Sequence, residues 1–344
     1  MRASALLSSG VCALLVAAAV MYLTQQDQAP AGTVALPPLS SLKPTAFSAA
    51  GRTHYYQMPA GGARGLVVWL PGCIRTAMGF WPAGSAPGFL GFPEDVSHTR
   101  QILGRGYAIL VLTAADTRMN CWSTGSDSAA VVESVSAFVA AKALAGKPVY
   151  MMGASSGAGL MIRVQTAMRV KVAGMVAEVN TRNPPPNGSP PCVWVCLQRD
   201  TRSQDEARQL VAALRARGTP AAAVTAPTRA ITPTYFQERV PGLTAAQSQE
   251  LAAALQKLGQ IDARGNLTRD PKTSGAVPKL RGMLSWKPIL DLHDSAIWQA
   301  LLVAWAMHEH VSDYTTAALM WFEAGGKADF RALAAAYAVT KPAL

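Results

Sequence analysis

The chain has 344 residues, enough for one large domain with a sizeable core or for two small ones. Half of the residues are apolar and 15% are charged, which excludes a disordered chain. The net charge is +11, yet Lys and Arg form no runs and no aromatics are interleaved with them, which excludes nucleic acid as a partner and leaves a solvated basic surface suited to facing anionic lipid headgroups.

Arg2 precedes an uncharged run from Ala3 to Thr24. A helix needs about 20 apolar residues to span hydrocarbon. Met21, Tyr22 and Leu23 stand where a signal peptide would carry a small-x-small cleavage site, so residues 1–24 read as an uncleaved anchor. Secretion after cleavage is the alternative. With Arg2 as the only charge before the run, the positive-inside tendency places the domain in the lumen of the secretory pathway. Residues 25–44, polar and then rich in Pro, Ala and Ser, read as a linker.

The domain is predicted over residues 45–330. His54 to Met58 reads as an edge strand. Apolar runs bounded by turns follow at Leu66–Leu70, Tyr107–Leu112, Val149–Met152, Val172–Ala177, Val193–Leu197 and Ala221–Val224. Helical patterns lie between them, at Val96–Leu103, Ala129–Leu144, Ala158–Met168 and Asp205–Arg217. Continuous apolar strands alternating with helices mean an α/β fold, with a doubly wound, mostly parallel sheet covered on both faces. Ligands then bind at the carboxyl ends of the strands. After Pro227 the alternation stops. Residues 227–307 read as a helical insertion or lid, with helices at Thr244–Gln260 and Asp291–Met307. Thr315–Glu323 is a closing helix, and residues 331–344 form a tail.

Gly153-Ala154-Ser155-Ser156-Gly157 sits between an apolar strand and a helix. A turn that sharp needs glycine on both sides. It thrusts the Ser155 hydroxyl out at the carboxyl end of the sheet, and the N–H of Ser156 is placed to hold an oxyanion. The competing reading, a phosphate-binding or turn loop, lacks a P-loop lysine and a Gly-x-Gly-x-x-Gly spacing. A second oxyanion donor is expected from Pro71-Gly72-Cys73, where Gly72 permits close backbone approach.

A serine hydroxyl needs a histidine to take its proton and an acid to orient that histidine. Doubly wound serine hydrolases supply them in chain order Ser, Asp or Glu, His. Asp200 follows a later strand, where the acid belongs; Glu178 and Asp205 are its rivals. Chain order favours His308 or His310 as base. No His/Cys/Asp cluster has ligand spacing, so no metal or cofactor is implied. Cys192 and Cys196 lie four apart in one strand, about 13 Å, too far to pair. Cys73 and Cys121 each follow a strand and could bridge if those strands are neighbours; two buried free thiols are the other reading.

The pieces Pro71-Gly72-Cys73, Gly91-Phe92-Pro93-Glu94, Asn120-Cys121-Trp122-Ser123, Gly153-Ala154-Ser155-Ser156-Gly157, Gln198-Arg199-Asp200, Thr232-Pro233-Thr234-Tyr235-Phe236 and His308-Glu309-His310-Val311-Ser312-Asp313-Tyr314 resemble a poorly characterised group of plant and green-algal α/β-hydrolase superfamily proteins with an N-terminal membrane segment. The resemblance covers Leu66 to Phe322. It implies the α/β-hydrolase fold and maps the family's histidine, which is followed by glutamate, onto His308 rather than His310. Where the family has a Met-Pro-Arg-Asp-like run, this chain has Leu197-Gln198-Arg199-Asp200, which keeps the aspartate.

These readings converge on a serine hydrolase of small-molecule, lipid or carbohydrate esters, with Ser155 as nucleophile, His308 as base and Asp200 as acid. Gly72, Cys73 and Ser156 form the oxyanion hole. Acyl transfer by the same triad, or a binding protein on a hydrolase fold, are the alternatives.

Overall fold

The computed structural model describes residue 34 and residues 36–291 and 293–343. The anchor expected over residues 1–24 lies outside the described residues. Among the described residues no helix is long and apolar enough to cross a membrane.

Eight strands form one sheet: β1 (Thr45–Ala49), β2 (Arg52–Gln57), β3 (Leu66–Leu70), β4 (Ala108–Val111), β5 (Val149–Ala154), β6 (Val172–Glu178), β7 (Cys192–Leu197) and β8 (Ala221–Ala226). Their spatial order is β1-β2-β4-β3-β5-β6-β7-β8. β1 and β2 run antiparallel to each other, and β2 to β4; the remaining pairs are parallel. This is the doubly wound, mostly parallel sheet of the α/β-hydrolase type.

The sheet alternates its side chains between two buried faces, because successive residues of a strand point opposite ways. Val67 and Trp69 of β3, Tyr150 and Met152 of β5, and Val193 and Val195 of β7 share one core. Leu66, Val68 and Leu70, with Met151 and Trp194, share the other. Helices α1 (Pro93–Gly104), α2 (Thr124–Ala141), α3 (Ser156–Val164) and α4 (Thr201–Ala216) connect the strands. The insertion holds α5 (Tyr235–Arg239), α6 (Ala245–Lys257), α7 (Ala276–Leu280) and α8 (Ala296–Trp305). It builds its own small core, in which Phe236, Leu251, Leu255, Leu280 and Leu301 are buried together. α9 (Thr315–Glu323) and α10 (Phe330–Ala336) close the chain.

Three expectations are corrected. The edge belongs to β1, so the strand that includes His54 lies second from the edge, and His54 is buried against Ser134. Ala50 and Gly51, at φ 50° and 72°, make the hairpin turn that joins β1 to β2. The end of the linker is docked: Leu42 is buried in the sheet core and the Lys43 N–H donates to Gln57 Oε1 at 2.8 Å. The tail begins inside a helix, α10, with Phe330 and Ala334 buried on its inner face.

Candidate active site

Ser155 sits at the junction of β5 and α3 with φ 48° and ψ −115°, outside the regions open to an ordinary L-residue. Steric necessity explains the flanking glycines. A Cβ on Gly157 would lie 2.2 Å from the Leu70 carbonyl oxygen, and one on Gly153 would lie 2.9 Å from the Ala158 nitrogen. The turn is held from outside: the Ser155 N–H donates to Glu178 O at 2.9 Å, and Asn180 Nδ2 donates to Ser155 O at 2.6 Å.

Ser155 Oγ lies 3.2 Å from His308 Nε2. His308 follows α8, which ends at Ala306 in the left-handed conformation, φ 54°. The Arg199 N–H donates to Ala306 O at 2.8 Å, and the Arg199 guanidinium stacks 3.7 Å over Trp305. The loop after β7 and the histidine loop are thereby tied together. Partial burial, helped by the nearby Lys272 charge, holds the His308 pKa below its ordinary value. The imidazole is therefore neutral at pH 7, the form that accepts a proton.

Asp200 lines the same cleft as Ser155 and His308, a cavity of about 380 Å³. Its carboxylate caps α4, accepting from Ser203 N at 3.1 Å and Ser203 Oγ at 2.6 Å. Among the described residues no hydrogen bond joins Asp200 to His308. A second cleft of about 200 Å³ opens on the other side of Ser155, lined by Gly72, Cys73, Arg75, Lys272 and His308.

The Pro71 loop abuts the serine. A Cβ on Gly72 would lie 3.5 Å from Ser155 Cβ. β3 and β4 are parallel neighbours, and Cys73 and Cys121, in the loops that leave them, form a disulfide with Cα atoms 4.3 Å apart. Trp122 Nε1 donates to Pro71 O at 2.6 Å and Trp122 N to Ser156 Oγ at 3.3 Å. Gly72, Cys73 and Ser156 make no backbone N–H hydrogen bonds within the protein among the described residues. Ser156 opens α3, where the first N–H groups have no intrahelical acceptor and the helix dipole is positive.

The rivals lie elsewhere. His310 is buried beneath the site, with Nδ1 2.9 Å from Glu309 Oε1 and Nε2 3.2 Å from Asp95 Oδ2. Burial opposes its charge, but these two carboxylates raise its pKa well above the ordinary value. The Glu178 carboxylate turns into the core, accepting from Val311 N at 2.9 Å, and burial pushes its pKa up to about 8. Asp205 is exposed and pairs with Arg208. His293 is exposed.

Sequence reasoning missed a buried polar network. Arg75, beside the Pro71 loop, donates to Glu309 Oε2 at 2.5 Å. Glu309 holds His310, and His310 holds Asp95 of α1. Glu94, the neighbour of Asp95, pairs with Arg239 of the insertion and accepts from Ser312 N at 2.8 Å. Arg229 pairs with Asp313. The available signal was a charged pair, Glu94-Asp95, at the start of a helix whose residues Pro93 to Leu103 are all buried. Among the described residues no group of three or more His, Cys, Asp or Glu side chains is arranged to hold a metal ion.

No family model matches the sequence, and no curated protein resembles it significantly. Solved structures that resemble it do so distantly. A metagenomic hormone-sensitive lipase is 14% identical, with a TM-score of 0.41, and the match covers 56% of this chain and 76% of that one. An esterase from Pyrococcus furiosus is 14% identical, with a TM-score of 0.40, covering 58% of this chain and 88% of that one. A Xanthomonas campestris α/β serine hydrolase without a lid is 14% identical, with a TM-score of 0.37, covering 56% of this chain and 87% of that one.

Proposed function

We propose that this protein is a serine hydrolase that cleaves an ester-type acyl bond through an acyl-enzyme. The observation that carries the reading is the strained Ser155, 3.2 Å from the Nε2 of a neutral histidine and next to free N–H groups at Cys73 and Ser156. His308 takes the hydroxyl proton as Ser155 Oγ bonds to the carbonyl carbon. The carbonyl oxygen, now negative, accepts from the N–H groups of Cys73 and Ser156, with Gly72 giving the loop its close approach. The tetrahedral adduct collapses, the ester bond breaks, and the alcohol leaves with the proton that His308 returns. Water then repeats the sequence on the acyl-enzyme. Asp200, across the cleft, is assigned the role of supporting the imidazolium. The test is labelling by a fluorophosphonate: it should modify Ser155 in the folded protein, and Ser155→Ala should be inert. Modification of a different serine would end this reading.

We also propose that residues 1–24 hold the protein at a membrane with the domain on the lumenal side. The uncharged run Ala3–Thr24 supports this, as does a disulfide, which persists in oxidising compartments. Asn266-Leu267-Thr268, in a turn of the insertion where Asn266 is half-buried and Thr268 exposed, should then carry a glycan when the full chain is made in eukaryotic cells. A mass unchanged by glycosidase would count against lumenal placement.

A further inference from the structure

We propose that the substrate of this site carries a negative charge close to the scissile acyl bond, and that Lys272 and Arg182 recognise it. The proposal rests on the serine hydrolase reading and goes beyond it in naming the class of ester.

Both clefts beside Ser155 have a cation in their walls. Lys272, from the insertion, lines the smaller cleft with Gly72, Cys73, Ser155 and His308. Arg182, from the loop after β6, lines the larger one with Ser155, Asp200 and His308. Their main chains are fixed: the Lys272 N–H donates to Asp270 Oδ1 at 2.8 Å and the Arg182 N–H to Asn180 Oδ1 at 3.2 Å. Their charged ends make no hydrogen bond or ion pair among the described residues. The other cations in these walls are already matched, with protonated His310 held between Glu309 and Asp95. Arg75 pairs with Glu309 at 2.5 Å, and Arg202 pairs with Glu206 at 2.7 Å. Lys272 and Arg182 therefore have no ion-pair partner in these walls, where Glu206, already paired with Arg202, also feels the Arg182 charge and Asp200 caps α4.

The two cations also bear on the chemistry. Lys272 and Arg182 both disfavour a charged His308, while Glu309 and Asp200 favour it. An anionic group seated against either cation would offset its repulsion, so the imidazolium formed as Ser155 attacks would be easier to make. A neutral ester leaves that repulsion in place, and a cationic one adds to it. Charge on the substrate would thus act on the transition state as well as on binding, which is where it accelerates the reaction. The net charge of +11 draws anions toward the same clefts over longer range.

The experiment measures the second-order rate at which Ser155 is modified in the full chain by matched fluorophosphonates. One member of each pair ends its tail in a carboxylate and the other in the methyl ester, and tails of several lengths are compared. At low salt the best carboxylate reagent should react about tenfold faster than its ester, a difference of roughly 1.4 kcal/mol. That preference should shrink in Lys272→Gln and in Arg182→Gln, and approach unity in the double variant. It should also shrink near 1 M salt, where the screening length falls to about 3 Å. Equal or slower reaction of the carboxylate reagents at every tail length would overturn the proposal, as would a preference that survives in the double variant. If the neutral reagents also fail to modify Ser155, the hydrolase reading itself falls and takes this proposal with it. Rapid neutral labelling without a charge preference sinks the proposal alone.

Discussion

Asp200 has two possible duties, and one substitution separates them. Its carboxylate caps α4 through Ser203, and it also lines the cleft that holds Ser155 and His308. Asparagine caps a helix about as well as aspartate does. Asp200→Asn should therefore keep the melting temperature close to that of the parent. It removes the negative charge from the cleft, however, so kcat on a turned-over ester should fall by about 10³-fold or more if Asp200 supports the imidazolium. An Asp200→Asn protein with parental kcat would leave Asp200 as a cap and nothing more. Ser155 and the glycines around it were legible at this scale because a tight turn admits few residue types. The choice of His308 over His310 was legible only in part. Two residues apart, the first histidine reaches the serine while the second is locked between Glu309 and Asp95.

At the scale of elements, the strands after β2 and the helices between them could be read from the chain because parallel strands buried on both faces are continuous apolar runs. α9 spans the same residues, Thr315–Glu323, that the pattern predicted. β1 escaped because Thr45-Ala-Phe-Ser-Ala carries a single large apolar residue and its turn is Ala50-Gly51 rather than Asn-Gly. The Cys73–Cys121 bridge belongs to this scale too, since it depends on β3 and β4 being neighbours. It closes a loop with a sequence separation of 48. Chain entropy puts its contribution at about 4 kcal/mol. It also tethers the loop that carries the Gly72 and Cys73 N–H groups. The Cys73→Ala, Cys121→Ala double variant should melt at a lower temperature, and at 25 °C, still folded, should react with fluorophosphonate several-fold more slowly. Unchanged labelling would show that Trp122 and the β3 backbone hold the loop without the disulfide.

For the whole molecule, the buried titrating groups set the pH of greatest stability. His54 and His98 are neutral in the fold, chiefly through burial, with pKa values lowered to about 4 and about 3. Unfolding lets them protonate, so stability falls as pH drops below about 6.5. Glu94 and Glu309 act in the same direction lower down. Burial opposes their charge, yet Arg239 and Arg75 hold them ionised, and that stabilisation is lost as the pH falls below the ordinary carboxylate range. His310 and Glu178 act oppositely. Their folded pKa values are raised, so each contributes most below its unfolded pKa and loses that contribution as the pH climbs through its folded one. Between about 4.5 and 6.5 the three lowered histidines, His54, His98 and His308, outnumber the two raised carboxyls, Glu178 and Asp313, and above 6.5 the losses from His310 and Glu178 dominate. Thermal melting followed across pH 4 to 9 should peak near pH 6.5 and decline on both sides. A melting temperature that climbs steadily to pH 8 would contradict the protonated state assigned to His310.

The sequence by itself determined the alternation of buried strands and helices and the serine turn, because each of these is a local constraint on period or sterics. Tertiary structure brought His308, which the resemblance favoured, to the serine and buried His310 between Glu309 and Asp95. It alone decided that β1 takes the sheet edge, and that Arg75, Glu309, His310 and Asp95 meet under the site. Contacts between residues hundreds of positions apart, such as Arg75 with Glu309, leave no periodic trace in a single chain. A charged residue earns a buried position only through partners that folding brings to it.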